Sequence, residues 1–207
     1  MKVIYLIRHS EGLKKKKDIK NSDSLQLINE KNPLSVNGEE RARKLSLIDE
    51  LKNIDVVISS NYVRAMSTAK YIANANDLEL NVIDNFGERK FGVNSWDDLP
   101  EDFEKNQLLD LDLKLENGES QREVANRMYE GLMGVIDNYY QDRIAIVSHA
   151  TAITFLFMKY CEIKDGNLFF KNKLVFDKEF LWSAPDVFKL TFDNKELIDI
   201  THIPLDF

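Results

Sequence analysis

Two of the three histidines stand among residues that would make them chemically useful. His9 lies in Arg8-His9-Ser10-Glu11-Gly12, and His149 in Ser148-His149-Ala150-Thr151. Arg64 closes the stretch Ser59-Ser60-Asn61-Tyr62-Val63-Arg64, and Glu88 sits in Phe86-Gly87-Glu88-Arg89-Lys90-Phe91-Gly92. A neutral imidazole is a nucleophile that can form a covalent intermediate. Arginine forks stay charged and fit phosphoryl oxygens, and a carboxyl group can protonate a leaving alkoxide. Phosphoryl transfer needs these elements: neutralised nonbridging oxygens and a nucleophile in line with the leaving group. Because side-chain cations do the neutralising, this set implies neither a metal nor another cofactor. No His, Asp or Glu cluster shows zinc-like spacing.

The elements that must position these residues are visible as an alternation. Val3–Ile7, Asp55–Ile58, Leu80–Ile83 and Arg143–Val147 are short apolar runs that read as buried strands. Between them, Ser35 to Leu51 and Asn61 to Asn74 carry apolar residues at helical spacing, with Ser35 as an N-cap. Leu99 to Leu115 reads as helical. Ser120-Gln121-Arg122-Glu123 is a capping box, and the stripe behind it runs Val124, Met128, Leu132, Val135. A further helix spans about Ala150 to Cys161, and Val187–Phe192 with Glu196–Thr201 reads as an antiparallel hairpin turning at Asp193-Asn194. The expected fold is a three-layer α/β/α sandwich with a mostly parallel central sheet and a C-terminal hairpin. In such sheets ligands bind beyond the carboxyl ends of the strands, which is where Arg8, His9, Arg64, Glu88 and His149 all fall.

Composition narrows the class. The 207 residues, without a Gly/Ser or Pro-rich linker, suit a single domain over 1–207. The net charge of −7 argues against nucleic-acid binding. No apolar run reaches the roughly 18 residues of a membrane span, and one cysteine suits a reducing compartment, so a cytoplasmic location is expected. Cys161 reads as an inert core thiol and His202 as a surface or packing residue. Lys14 to Asn32 reads as a long loop with a short helix near Leu25–Ile28; its Lys14–Lys17 run is a solvated patch or a guide for anionic substrates. Phe169, Phe170, Phe176, Phe180, Leu181 and Trp182 read by default as core packing, with the lining of a C-terminal lobe or an oligomer contact as the alternative.

The motifs resemble those of the histidine phosphatase superfamily, the phosphoglycerate mutase-like proteins. Arg8-His9-Ser10-Glu11-Gly12 is similar to its RHG signature, and Asn32-Pro33-Leu34-Ser35-Val36-Asn37-Gly38 to its PL(S/T)xxG segment. Ser59-Ser60 through Arg64-Ala65 to Thr68-Ala69, Glu88-Arg89-Lys90-Phe91-Gly92, Gly118-Glu119-Ser120 and Val147-Ser148-His149 follow in the family's order. The likeness covers roughly residues 1–160. It implies a phosphorylated nucleophile at His9, a phosphoryl pocket of Arg8, Arg64 and His149 with Ser10 and Ala150 at its edge, and Glu88 as proton donor and then base, with Glu11 the nearest rival. Ser10 and Ala150 stand where the family commonly has Gly. Lys15 stands where an Asn is usual, which leaves Asn21, Asn29 or a lysine to replace it.

The implied activity is metal-independent hydrolysis of a small-molecule phosphate ester. A phosphomutase and a non-catalytic phospho-ligand binder are the alternatives. Val93–Asn117 carries eight acids and two bases, which disfavours the second anion site of a mutase. Phe91, Trp96 and Phe103 read as packing residues that could also meet an organic moiety. The substrate and the oligomeric state are left open.

Overall fold

The four apolar runs become one parallel set of strands. In the computed structural model, which describes residues 1–14 and 23–207, these are β1 (Lys2–Arg8), β2 (Val56–Ser59), β3 (Leu80–Val82) and β4 (Arg143–Ser148). The hairpin strands β8 (Asp186–Asp193) and β9 (Glu196–Ile203) join the same sheet, in the order β3-β2-β4-β1-β8-β9. β8 runs antiparallel to β1, with Arg8 opposite Asp186. The hairpin therefore completes the central sheet, turning at Asn194 with φ +52°.

Alternation along the buried strands divides the core into two layers. Ile4, Leu6, Ile144 and Ile146 face one side, where α5 (Gln121–Asn138) and α6 (Ala150–Tyr160) cover them. Tyr5, Ile7, Ala145 and Val147 face the other, against α2 (Val36–Leu45) and α3 (Val63–Ala75). Each fully buried aliphatic side chain contributes about 1.5–3 kcal/mol, so the two faces fix the sheet from both sides. Ser120 and Glu123 close the expected capping box at the start of α5, and Ser35 Oγ accepts the Gly38 N–H at the start of α2.

Three differences from the sequence reading have physical causes. The helix from Ser35 ends at Leu45, where Ser46 turns its hydroxyl back to the Arg43 carbonyl at 2.8 Å; a single 3₁₀ turn, Asp49–Leu51, follows. The expected helix over Leu99–Leu115 shrinks to α4 (Phe103–Leu109). Pro100 and Asp102, the latter at φ +55°, delay its start, and beyond Leu109 the leucines alternate at Leu111, Leu113 and Leu115, which is not a helical spacing. Residues 162–176 form a separate antiparallel sheet of β5 (Glu162–Lys164), β6 (Asn167–Phe170) and β7 (Lys173–Phe176). Its strands are too short to announce themselves by alternation. Phe170 and Phe176 are buried, and Phe176, Phe180, Trp182 and Phe188 pack ring against ring, whereas Leu181 is exposed. The loop expected before the second apolar run does hold a helix, α1 (Leu25–Lys31). Lys15–Lys17 and Asn21 lie outside the described residues.

Gly38 ties α2 to the loop after β1. A Cβ there would stand 2.0 Å from the Glu11 carbonyl oxygen, so the backbones meet only because the residue is glycine. Gly38→Ala is expected to cost about 1–3 kcal/mol, read from urea melts. A variant as stable as wild type would show that this contact yields freely.

Candidate active site

The register of the parallel strands assembles the site. Arg8 pairs with Ser148 and Ser59 with Val147, so His9, His149 and Ser60 emerge side by side. His9 N–H donates to the Ser148 carbonyl at 3.0 Å, and Ser60 N–H to the Val147 carbonyl at 3.0 Å. The two imidazole rings meet edge to face with centroids 5.0 Å apart. Arg64 reaches them from the first turn of α3, and His149 is the N-cap of α6.

Hydrogen bonds define the state of His9. Its Nδ1 lies 2.6 Å from the Ser10 carbonyl, which can only accept, so Nδ1 carries the proton. The Nε2 lone pair then accepts the Arg64 Nε–H at 2.8 Å. Burial and the neighbouring Arg64 charge hold His9 well below the ordinary histidine value, with Arg8 adding to them and the Ser10 bond opposing. The result is a neutral imidazole with its nucleophilic nitrogen turned toward a guanidinium.

His149 is fully buried and likewise held low, by burial first and then by His9, Arg64, Arg127 and Arg8. Its Nδ1 accepts from Arg64 Nη2 at 3.2 Å, and its Nε2 meets Ser60 Oγ at 2.8 Å. A hydroxyl can donate as well as accept, so Ser60 permits either tautomer. If Arg64 Nη2 moves to an anion, His149 can present Nδ1–H to the same anion while Ser60 donates to Nε2. Tyr62 packs on His149 with centroids 4.5 Å apart.

Both arginines are drawn out of water. Burial lowers Arg8 and Arg64 from the usual guanidinium value, and the charge of Glu88 opposes that shift in both. Arg64 donates its third group, Nη1, to the Asn29 carbonyl of α1 at 2.5 Å. Arg8 donates Nη1 to the carbonyls of Trp182 and Ser183, at 2.8 and 3.0 Å. Its Nε is buried without a partner. An unpartnered buried donor costs about 1–3 kcal/mol, which an anion accepting from it would recover.

Glu88 completes the set. Its Oε1 accepts the N–H groups of Arg89 at 2.9 Å and Ala152 at 3.0 Å, which places the carboxylate on the first turn of α6. Arg127 clamps this loop from α5, donating to the carbonyls of Asn85, Gly87 and Glu88 and pairing with Glu119. A cleft of about 330 Å³ lined by Tyr62, Glu88, Lys90 and Arg127 opens beside it. Glu11 accepts instead from Ser35 Oγ at 2.6 Å and from Asn37 at 3.2 Å, bonds that hold its carboxyl low and tie the loop to α2.

Of the sequence candidates, Arg8, His9, Arg64, Glu88 and His149 are thus brought to one place. Ala150 begins α6 beside them. Ser10 is fully buried, and its hydroxyl proton is engaged by the Gly38 carbonyl at 2.7 Å, so its side chain helps anchor α2. Asn29 contributes a carbonyl to Arg64, a role its side chain could not reveal. Ser60, Tyr62 and Arg127 went unassigned. Arg127 gives no local signal, because its partner Glu119 lies 8 residues back, before α5 begins. Phe91 and Phe103 are buried, and Trp96 is exposed with its ring edge against Phe91. Cys161, at the far end of α6, is pushed up to about 12 by burial. Among the described residues no three His, Cys, Asp or Glu side chains are grouped to hold a metal, and no helix is long and apolar enough to cross a membrane.

The chain belongs to the histidine phosphatase superfamily (branch 1), whose family model matches residues 4–170. A search of curated protein sequences finds no match. Among solved structures, the chain is similar to the mycobacterial glucosyl-3-phosphoglycerate phosphatase, with 15% identity and a TM-score of 0.68 over 97% of this chain and 96% of that one. The same mycobacterial enzyme in complex with inorganic phosphate gives 15% identity and a TM-score of 0.67, covering 100% and 98%. Phosphoserine phosphatase from Entamoeba histolytica, in complex with 3-phosphoglyceric acid, gives 19% identity and a TM-score of 0.69, covering 100% and 98%.

Two buried neutral histidines make stability depend on pH. The folded chain resists protonation that the unfolded chain accepts, so stability present above about pH 6.5 is lost as pH falls below it. The loss is about 1 kcal/mol per histidine per pH unit until the folded groups titrate. Urea melts from pH 7.5 to 5.5 should show this slope in wild type and a shallower one in the His9→Gln, His149→Gln double variant. Equal slopes would contradict the assignment of neutral histidines.

Proposed function

We propose that this superfamily member is a metal-independent phosphomonoester hydrolase that forms a phosphohistidine at His9 on a small phosphorylated metabolite. The observation that carries the proposal is the His9 Nε2 lone pair, oriented by the Ser10 carbonyl and set among two arginines and a second histidine. The phosphatase names of the structural neighbours agree with it.

The reaction proceeds in two displacements. A phosphoryl dianion enters and draws the Arg64 Nε–H away from His9 Nε2. Arg8, Arg64 and His149 then hold its nonbridging oxygens, where charge must be neutralised in the transition state. His9 Nε2 attacks phosphorus as the ester P–O bond breaks, and Glu88, having taken up a proton before this step, gives it to the departing oxygen. Glu88, now a carboxylate, takes a proton from water, whose oxygen attacks the phosphohistidine. The P–N bond breaks, phosphate leaves, and His9 regains its lone pair.

Hydrolysis is favoured over mutase transfer by the segment after Glu88. Val93–Asn117 holds two lysines, Lys105 and Lys114, among eight acids; Lys114 is paired with Glu123, and Arg122 behind it is paired with Asp112 at 2.7 Å. These partners and the surrounding acids leave little positive charge within Val93–Asn117 to hold a second phosphate of the substrate.

Hydrolysis of an aryl phosphate, with chelator present, should fall by more than about 10³-fold in His9→Ala. Equal rates in wild type and variant would remove His9 as the nucleophile. Glu88→Gln provides a separate test of the acid. The loss should be about 10²–10⁴-fold with an alkyl phosphate and much smaller with a nitrophenyl ester, whose oxygen leaves without a proton. An equal loss with both esters would assign Glu88 a different role.

A further inference from the structure

Arg8 is fixed from behind by a network that ends on the third histidine. Arg8 and Asp186 are opposite each other in the antiparallel pairing of β1 with β8. The Asp186 side chain is almost fully buried, at 4% exposure. Its Oδ2 accepts the Ser183 N–H at 3.0 Å, and its Oδ1 accepts the Val187 N–H at 3.1 Å and faces His202 Nε2 at 2.6 Å. Oδ1 can only accept from a ring nitrogen when ionised, so Nε2 carries a proton. The turn that Asp186 holds is the one whose carbonyls, Trp182 and Ser183, take Arg8 Nη1. His202 itself packs on Phe188 at a tilt of 31°, with centroids 4.8 Å apart, and edge-on to Phe180 at 5.5 Å.

A buried carboxylate demands partners, and losing one loosens whatever else it holds. Here it holds one end of the cradle for Arg8. A guanidinium with one nitrogen clamped by two carbonyls keeps a fixed plane, and fixed donors bind an anion more tightly than mobile ones. We propose that Asp186 and His202 are positioning residues for phosphate binding: through the Trp182–Ser183 turn they set the plane of Arg8, whose remaining N–H groups then meet the phosphoryl oxygens. The inference rests on the assignment of Arg8 to the phosphoryl pocket.

The test is a double-mutant cycle read by inorganic phosphate affinity in calorimetry and by KM and kcat for an aryl phosphate. His202→Phe keeps the ring packing and removes the donor; His202→Gln keeps a nitrogen donor. His202→Phe should weaken phosphate about tenfold and raise KM in parallel, with kcat changed much less and Tm within a few degrees of wild type. His202→Gln should recover to within about twofold, and in an Arg8→Ala background His202→Phe should add no further loss. Asp186→Asn probes the same link from its buried end and should also weaken phosphate only while Arg8 is present. Unchanged phosphate affinity in His202→Phe, or an equal loss with and without Arg8, would overturn the proposal. So would failure of His202→Gln to recover. A wild type that binds phosphate but hydrolyses nothing would sink the hydrolase assignment while the cycle still decides the positioning role. A wild type that binds no phosphate would overturn both.

Discussion

The parallel pairing of β1 with β4 ends with Arg8 opposite Ser148, and the residue that follows each strand is a histidine. The meeting of the two histidines follows from that register. Side chains alternate along a strand, so a slip of one residue would send Tyr5 and Ile7 to the wrong layer and carry His9 away from His149. The two-sided core forbids such a slip, since both faces of β1 are buried. The hydrophobic layers thus do more than stabilise the chain: they fix the relative height of two imidazoles whose centroids stand 5.0 Å apart.

Around this pair the protein gathers positive charge and removes water from it. Arg8, Arg64 and Arg127 all act on His149, and desolvation is the largest influence on both histidines. The arrangement is unfavourable for the protein alone, because like charges repel and buried donors want acceptors. Under the proposed mechanism, a phosphoryl dianion would relieve both conditions at once. Preorganised donors in a site of low dielectric also stabilise charge that develops in a transition state, without reorganising at that moment. The same desolvation holds His9 below the ordinary histidine value, so in the proposed mechanism binding and nucleophilicity would have a common cause.

Much of this was legible in the residues and some of it was not. The strands, the Ser35 cap, the Ser120–Glu123 capping box and the hairpin were readable because each has a local signature. Arg8, His9, Arg64, Glu88 and His149 were readable because α/β topology brings strand ends to one edge, and that edge was where they fell. The three-residue strand Glu162–Lys164 lacked enough length to show a period. The shortened helix at Phe103–Leu109 obeyed Pro100 and a left-handed Asp102 over a weak apolar pattern. Tertiary partners were the hardest to see. Arg127 grips the Glu88 loop across 39 residues, and His202 meets Asp186 across a strand pair, so neither shows in its own neighbourhood. His202 read as a surface or packing residue; it is partly exposed and does pack on Phe188, and it also has a buried charged partner.

The tautomer and charge of His9 are the centre of this account, and nitrogen-15 chemical shifts of the histidine rings report them directly. At neutral pH the expected spectrum shows a protonated Nδ1 and an unprotonated Nε2 for His9, assigned by its loss in His9→Gln, with no titration as pH passes through 6.5. A His9 signal with both nitrogens protonated at neutral pH, or with the proton on Nε2, would contradict it.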